Sequence, residues 1–173
     1  MKHKDSRNYA FLMIYYKMPD FIKEIQNTID EEDLYTEEGS DDYGIEKECH
    51  VTLVPCLDND VDLEELRKYL DDISKYEAIL TDISKFENEK YDVLKCSAKS
   101  IPLFDTNKKI TDNYETYSEY KNEYKPHMTI AYLKPGRAQK YVKDRFEKLM
   151  VAKPVNFCFS WHDKNDKMHK VMF

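Results

Sequence analysis

The chain has 173 residues, 41% hydrophobic with 14 Tyr and 8 Phe, which excludes a disordered chain and suits one domain, residues 1–173, with a real core. Its net charge of −7 argues against a binder of long nucleic acid, which must set many Lys and Arg against phosphates. Three glycines leave no glycine-rich phosphate loop, and no run approaches the ~18 apolar residues that a membrane helix needs.

The N-terminal stretch Met1–Arg7 is charged and leads straight into an apolar run, with no signal region, so a cytosolic chain is expected. Tyr9–Lys17 reads as a buried strand. Pro19 then opens a helix carried by Phe21, Ile22, Ile25 and Ile29. Residues 30–48 hold ten acids and one Lys, and read either as a solvated connection or as a lid. A strand over 49–57 follows, then a helix with the apolar stripe Leu63, Leu66, Leu70 and Ile73. Strands over 78–86 and 91–98 flank a polar turn. Ser100 caps a third helix, with Pro102 in its first turn, that runs to about Asp112. Tyr114, Tyr117, Tyr120 and Tyr124 either pack on the core or line a groove for bases. A strand over 127–134 ends at Pro135-Gly136. Tyr141, Val142, Phe146 and Leu149 predict a fourth helix, and 155–161 with 168–173 a closing hairpin.

Two of these strands carry chemistry. Cys49-His50-Val51-Thr52-Leu53 and Pro126-His127-Met128-Thr129-Ile130 each place His-x-Thr at the head of an apolar run. Residues two apart on a strand share a face, so His50 joins Thr52 and His127 joins Thr129. Five His and eight Thr would supply about 0.2 such matches by chance, which makes two in matching contexts a specific signal. A lone His-x-Thr reads more simply as a strand histidine held by a backbone group. No Asp or Glu lies two or four residues beyond either histidine to complete a metal site. His3, His162 and His169 lack the Thr and read as surface residues. Cys49, Cys56, Cys96 and Cys158 show no C-x-x-C spacing and are expected to be free thiols rather than zinc ligands. The two halves also share a layout of motif strand, helix, strand, turn and strand. Phe86 lies 36 residues after His50, and Trp161 34 after His127.

The paired motifs resemble the 2H phosphoesterase superfamily. Glu48–Leu53, Phe86–Lys95 and Pro126–Gly136 are more closely similar to the phage anti-CBASS nucleases, which degrade cyclic oligonucleotide messengers of bacterial antiviral signalling. The resemblance implies an α+β, bilobed, pseudo-two-fold 2H (LigT-like) fold, with two antiparallel sheets flanking a central groove and helices outside. It implies a phosphodiesterase that uses no metal or cofactor, cleaves 3′–5′ bonds of cyclic di- or trinucleotides and serves immune evasion in the host cytoplasm. A 2′,3′-cyclic phosphodiesterase, a 2′–5′ oligonucleotide hydrolase and a non-catalytic nucleotide sponge are the alternatives.

The expected chemistry needs one neutral imidazole to take a proton and one imidazolium to give one, each worth about 10²–10⁴-fold. Thr52 and Thr129 would donate to the non-bridging oxygens, where charge builds. Which histidine is the base is left open by the sequence. Tyr15, Tyr16, Phe86 and Trp161 are the candidates to stack on bases; Lys134 and Arg137 either meet a second phosphate or stay solvated. Neither long nucleic acid nor membrane is an expected partner.

Overall fold

The computed structural model describes residues 9–37, 43–58, 60–117, 123–163, 165 and 167–173. His3, Gly39 and Tyr120 lie outside the described residues. Eight strands alternate with three α-helices: β1 (Tyr9–Tyr16), α1 (Asp20–Asn27), β2 (His50–Asp58), α2 (Leu63–Arg67), β3 (Ala78–Glu87), β4 (Asp92–Lys99), α3 (Ile101–Asn113), β5 (His127–Leu133), β6 (Met150–Ala152), β7 (Pro154–His162) and β8 (Met168–Met172). No helix among them is long and apolar enough to cross a membrane.

The strands form one antiparallel sheet in the order β6-β3-β4-β5-β2-β1-β7-β8. The two expected sheets are its halves. The motif strands β2 and β5 meet in the middle, and their ladder is one pair, Val51 with Met128. Beyond that pair each inner edge is taken by another segment. On β5, the Glu46 N–H donates to the Ile130 carbonyl (3.1 Å), and Tyr132 N–H to that of Gly44 (2.8 Å). On β2, Asn107 Nδ2 donates to the Leu53 carbonyl (2.7 Å) and the Tyr124 hydroxyl to that of Thr52 (3.0 Å). Tyr117 N–H donates to the Cys56 carbonyl (3.0 Å). Buried main-chain groups require such partners.

The described parts of the acidic connection, 30–37 and 43–48, are thus strapped along β5. Asp33 is fully buried and ties this strap to the segment after β5. It accepts from Tyr141 (2.7 Å) and pairs with Lys140 (2.6 Å), with Arg137 at 3.7 Å. Those bonds hold its carboxyl below the usual range, Lys140 first and Tyr141 next, against the opposing effect of burial.

Four expectations are corrected. Residues 141–149 form no helix. After a 3₁₀ turn at Ala138–Tyr141, Val142 is extended and Lys143 exchanges both backbone bonds with Ile83, at 2.8 and 2.9 Å. An edge position on the sheet thus wins over helical spacing, and Phe146 packs edge-on against Phe21. The 63–73 stripe yields only α2 and a 3₁₀ turn at Ile73–Tyr76. Ser100 occupies the N-cap of α3 but makes no side-chain capping bond. The layout repeat is corrected too: after β5 the chain has a 3₁₀ turn and the short strand β6 where the first half has α2, and β4 returns beside β5, whereas β8 ends at the outer edge and β1 lies beside β2.

The tyrosine-rich segment packs on the core where it is described. Tyr117 stacks on Tyr9, Tyr114 meets Tyr69 edge-on, and Tyr124 meets Phe104. The four cysteines are free, and burial pushes the Cys49 and Cys96 thiols up to about 12.

Tyr76 is among the largest fully buried side chains. Its hydroxyl bonds Thr106 Oγ1 (2.8 Å) on α3 and accepts from Asp71 N–H (3.1 Å), while its carbonyl accepts from the Tyr16 hydroxyl (2.7 Å). Tyr76→Phe strands both hydroxyl partners and should cost about 1–3 kcal/mol, measured as a lower urea midpoint at unchanged slope.

Candidate functional site

The pair joining the halves consists of the middle residues of the two His-x-Thr motifs. Val51 and Met128 are both fully buried, so their neighbours His50, Thr52, His127 and Thr129 point to the opposite face. The antiparallel direction sets His50 across from Thr129 and Thr52 across from His127. All four are partly exposed. The sequence pairs each histidine with its own threonine along a strand. Only the tertiary structure brings the two pairs together.

Both motif strands kink directly after the threonine. Against β1, the register slips by one residue between the Leu12–Val54 and Met13–Thr52 pairs, leaving Leu53 extra. Against β4, it slips between Leu94–Ala131 and Lys95–Thr129, leaving Ile130 extra. These bulges bury two successive residues in each strand, Leu53-Val54 and Ile130-Ala131. A bulge bends a strand and re-aims its side chains, and bulges gather near active sites. The apolar doublet after each threonine was the sequence trace of this feature.

The histidines are held alike. His50 Nδ1 lies 3.2 Å from the carbonyl of Glu48, and His127 Nδ1 lies 2.8 Å from that of Lys125. A carbonyl only accepts, so each Nδ1 carries the proton, and in the neutral ring Nε2 holds the free lone pair. Neither Nε2 has a hydrogen-bond partner among the described residues. The His127 pKa lies below its ordinary 6.5. Burial is the main cause, joined by the charges of Lys95 and His50, and the Lys125 carbonyl only partly opposes them.

Two of the four aromatic candidates join the motifs. Tyr15 pairs with His50 across β1–β2, with ring centroids 5.7 Å apart. Phe86 meets His127 edge-on at 5.0 Å. The other two are corrected. Tyr16 is 5% exposed and points into the core, where its hydroxyl bonds Tyr76. Trp161 pairs with the fully buried Ala10, so it shares the core face and stacks on His169 at 5.4 Å. Alternation decides both: each lies one residue off the groove face. His169 is no bare surface residue either, since its Nε2 lies 2.8 Å from Asp163. Lys134 and Arg137 turn to the strap instead of the groove, through the Glu32 carbonyl (2.6 Å) and Asp33.

Residues given no role by the sequence flank the motifs. Beside His50, Lys170 Nζ bonds Glu48 (2.7 Å) and Tyr15 (3.1 Å), and the Tyr15 hydroxyl donates to Glu48 (2.6 Å). Burial works against the Glu48 carboxylate, but those bonds outweigh it and keep its pKa low. Beside the second motif, β4 places Ser97 opposite His127 and Lys95 opposite Thr129. A lysine between the buried Leu94 and Cys96 was its one sequence signal.

The chain belongs to the 2′-5′ RNA ligase superfamily, whose family model matches residues 20–160, and is a 2H phosphodiesterase-type enzyme. No curated protein matches it. Among solved structures it is similar to Usb1 of Kluyveromyces marxianus, with a TM-score of 0.51 and 12% identity over 97% of this chain and 99% of that one. That likeness shows the fold alone.

Nitrogen-15 NMR should find the Nδ1–H tautomer at both His50 and His127, with His127 titrating below 6.5. An Nε2–H tautomer at either would contradict the geometry.

Proposed function

We propose that the chain hydrolyses 3′–5′ bonds of cyclic di- or trinucleotide immune messengers, in the manner of the anti-CBASS nucleases, with His127 as base and His50 as acid. The observation that carries the chemistry is the matched pair of Nδ1–carbonyl bonds, which leaves both Nε2 atoms available beside Thr52 and Thr129. The messenger class is supported by the resemblance of the three stretches. It also agrees with an aromatic ring beside each histidine, Tyr15 and Phe86, suiting a ligand with more than one base. The acidic chain suits a small ligand with few phosphates.

The steps balance within the site. His127 Nε2 takes the proton of the ribose 2′-hydroxyl as its oxygen attacks phosphorus. The bond to the 5′ oxygen breaks, and His50 Nε2 protonates that leaving oxygen. Thr52 and Thr129 donate to the non-bridging oxygens. The opened ring ends in a 2′,3′-cyclic phosphate. Hydrolysis is completed when the now neutral His50 takes a proton from a water that attacks this phosphorus, and the protonated His127 gives its proton to the 2′ oxygen as the bond from that oxygen to phosphorus breaks. His127 is the base because its burial and the nearby Lys95 favour the neutral ring. A neutral base is lost as pH falls through its pKa. The acid limb of the rate profile therefore belongs to His127 and lies below 6.5.

The test is chromatography of a nucleotide panel after incubation with the protein in EDTA. It holds 3′,3′-cyclic dinucleotides, cyclic triadenylate, a 2′,3′-cyclic mononucleotide and a 2′–5′ oligoadenylate. Linear product from the first two is expected, falling by about 10²–10⁴-fold in His50→Ala and again in His127→Ala. Turnover of only the last two moves the assignment to the simpler phosphodiesterases. Tight retention without turnover would mean a nucleotide sponge.

A further inference from the structure

The symmetric scaffold carries an asymmetric lining. At the position beside the first threonine, β1 supplies Met13 opposite Thr52; at the matching position beside the second, β4 supplies Lys95 opposite Thr129. The next strand continues the contrast, with Cys158 opposite Met13 and Ser84 opposite Lys95.

Lys95 is only 7% exposed. Its ammonium donates to Ser84 Oγ at 2.8 Å and lies 4.5 Å over the Phe86 ring. No carboxylate lies within ion-pair distance among the described residues. The nearby carboxylate of Asp82 is engaged by Thr81 (2.6 Å) and Ser97 (3.1 Å) and reaches Lys95 only through its field. An ammonium has three donors, and the described protein atoms use one in a hydrogen bond. A buried charge left so poorly paired is costly and calls for an anion. The other lobe differs again: its lysine, Lys170, is already neutralised by Glu48.

We propose that Lys95 binds a phosphoryl oxygen of the substrate from the Thr129 side, and that this one-sided anchor fixes a single orientation of the scissile phosphodiester between the two histidines. This rests on the reading of the groove as a phosphodiesterase site. The anchor completes a set of donors around one phosphoryl group: the Thr129 hydroxyl, the Lys95 ammonium and, across the strand junction, Thr52. With no counterpart at Met13, the substrate does not bind equally well turned end for end. The two histidines therefore keep separate roles despite their matching tethers. Phe86 packs on both the Lys95 ammonium and the His127 ring, so it holds the two in register.

The experiment compares wild type with Lys95→Met, Lys95→Arg and His127→Ala. Two readouts are used: steady-state rates on the substrate found active in the panel, and inorganic phosphate binding followed through the His127 ring resonances. Lys95→Met should lower kcat/KM on the order of 10²-fold, as loss of one transition-state donor does. It should weaken phosphate binding at least tenfold and move the acid limb of the rate profile upward, because a cation facing His127 is removed. The charge that then still bears on that ring is that of His50, beside the hydrogen bond to the Lys125 carbonyl. Lys95→Arg should recover part of both losses. If Lys95→Met keeps kcat/KM and phosphate affinity within twofold while His127→Ala is inactive, the anchor is overturned and the phosphodiesterase reading stands. If His127→Ala retains full activity, that reading fails, and phosphate binding by wild type against Lys95→Met still decides the anchor. Should Lys95→Met not fold, an absence of phosphate-induced shifts at His127 in the wild type would overturn the proposal by itself.

Discussion

One backbone pair, Val51 with Met128, is the constraint on which the rest depends. It is the only rung between the motif strands among the described residues, and its two residues are buried on the core side. The four residues that flank it in sequence must therefore project to the other face, His50 across from Thr129 and Thr52 across from His127. A longer ladder would add stability but keep β2 and β5 side by side throughout. Here each strand bulges after its threonine, and its inner edge is taken by different groups, the acidic strap on β5 and Asn107, Tyr117 and Tyr124 on β2. The junction is closed at the motifs and opens beyond them.

In their described parts, the acidic and tyrosine-rich segments serve as straps. Their backbone groups and hydroxyls go to the exposed edges of β5 and β2, where unpaired N–H and C=O groups would otherwise stand. Asp33 is buried because it locks the strap to the segment after β5 through Lys140 and Tyr141. Tyr124 both packs against Phe104 and holds the Thr52 carbonyl, so it links α3 to the first motif. Asp33, Tyr117 and Tyr124 thus support the motif strands.

Electrostatics then separate two histidines that the backbone treats alike. Each Nδ1 donates to the carbonyl two residues earlier, a symmetric device that sets the tautomer and aims Nε2. The neighbours differ. His50 has Tyr15, Glu48 and Lys170 in a self-neutralising cluster, whereas His127 has the buried Lys95. The same ammonium that favours the neutral His127 ring also needs an anion to complete its own pairing. One residue thus bears on both proton transfer and phosphate binding.

The sequence by itself determined the class of the protein and the two motifs, because His-x-Thr at the head of an apolar strand is local information: period two sets the face, and chance seldom repeats the pattern. It also marked most strands and α3, whose periodicity is likewise local. Only the tertiary structure decided which strand lies beside which. It brought His50 across from Thr129, placed Lys95 beside that threonine, and turned Tyr16 and Trp161 into the core while leaving Tyr15 and Phe86 at the motifs. These outcomes depend on cross-strand register, where a shift of one residue reverses every side chain, and on a helical spacing at 141–149 that yields to the backbone bonds of Lys143 with Ile83. Register is set by pairing between segments distant in the chain, and no single stretch of sequence contains it.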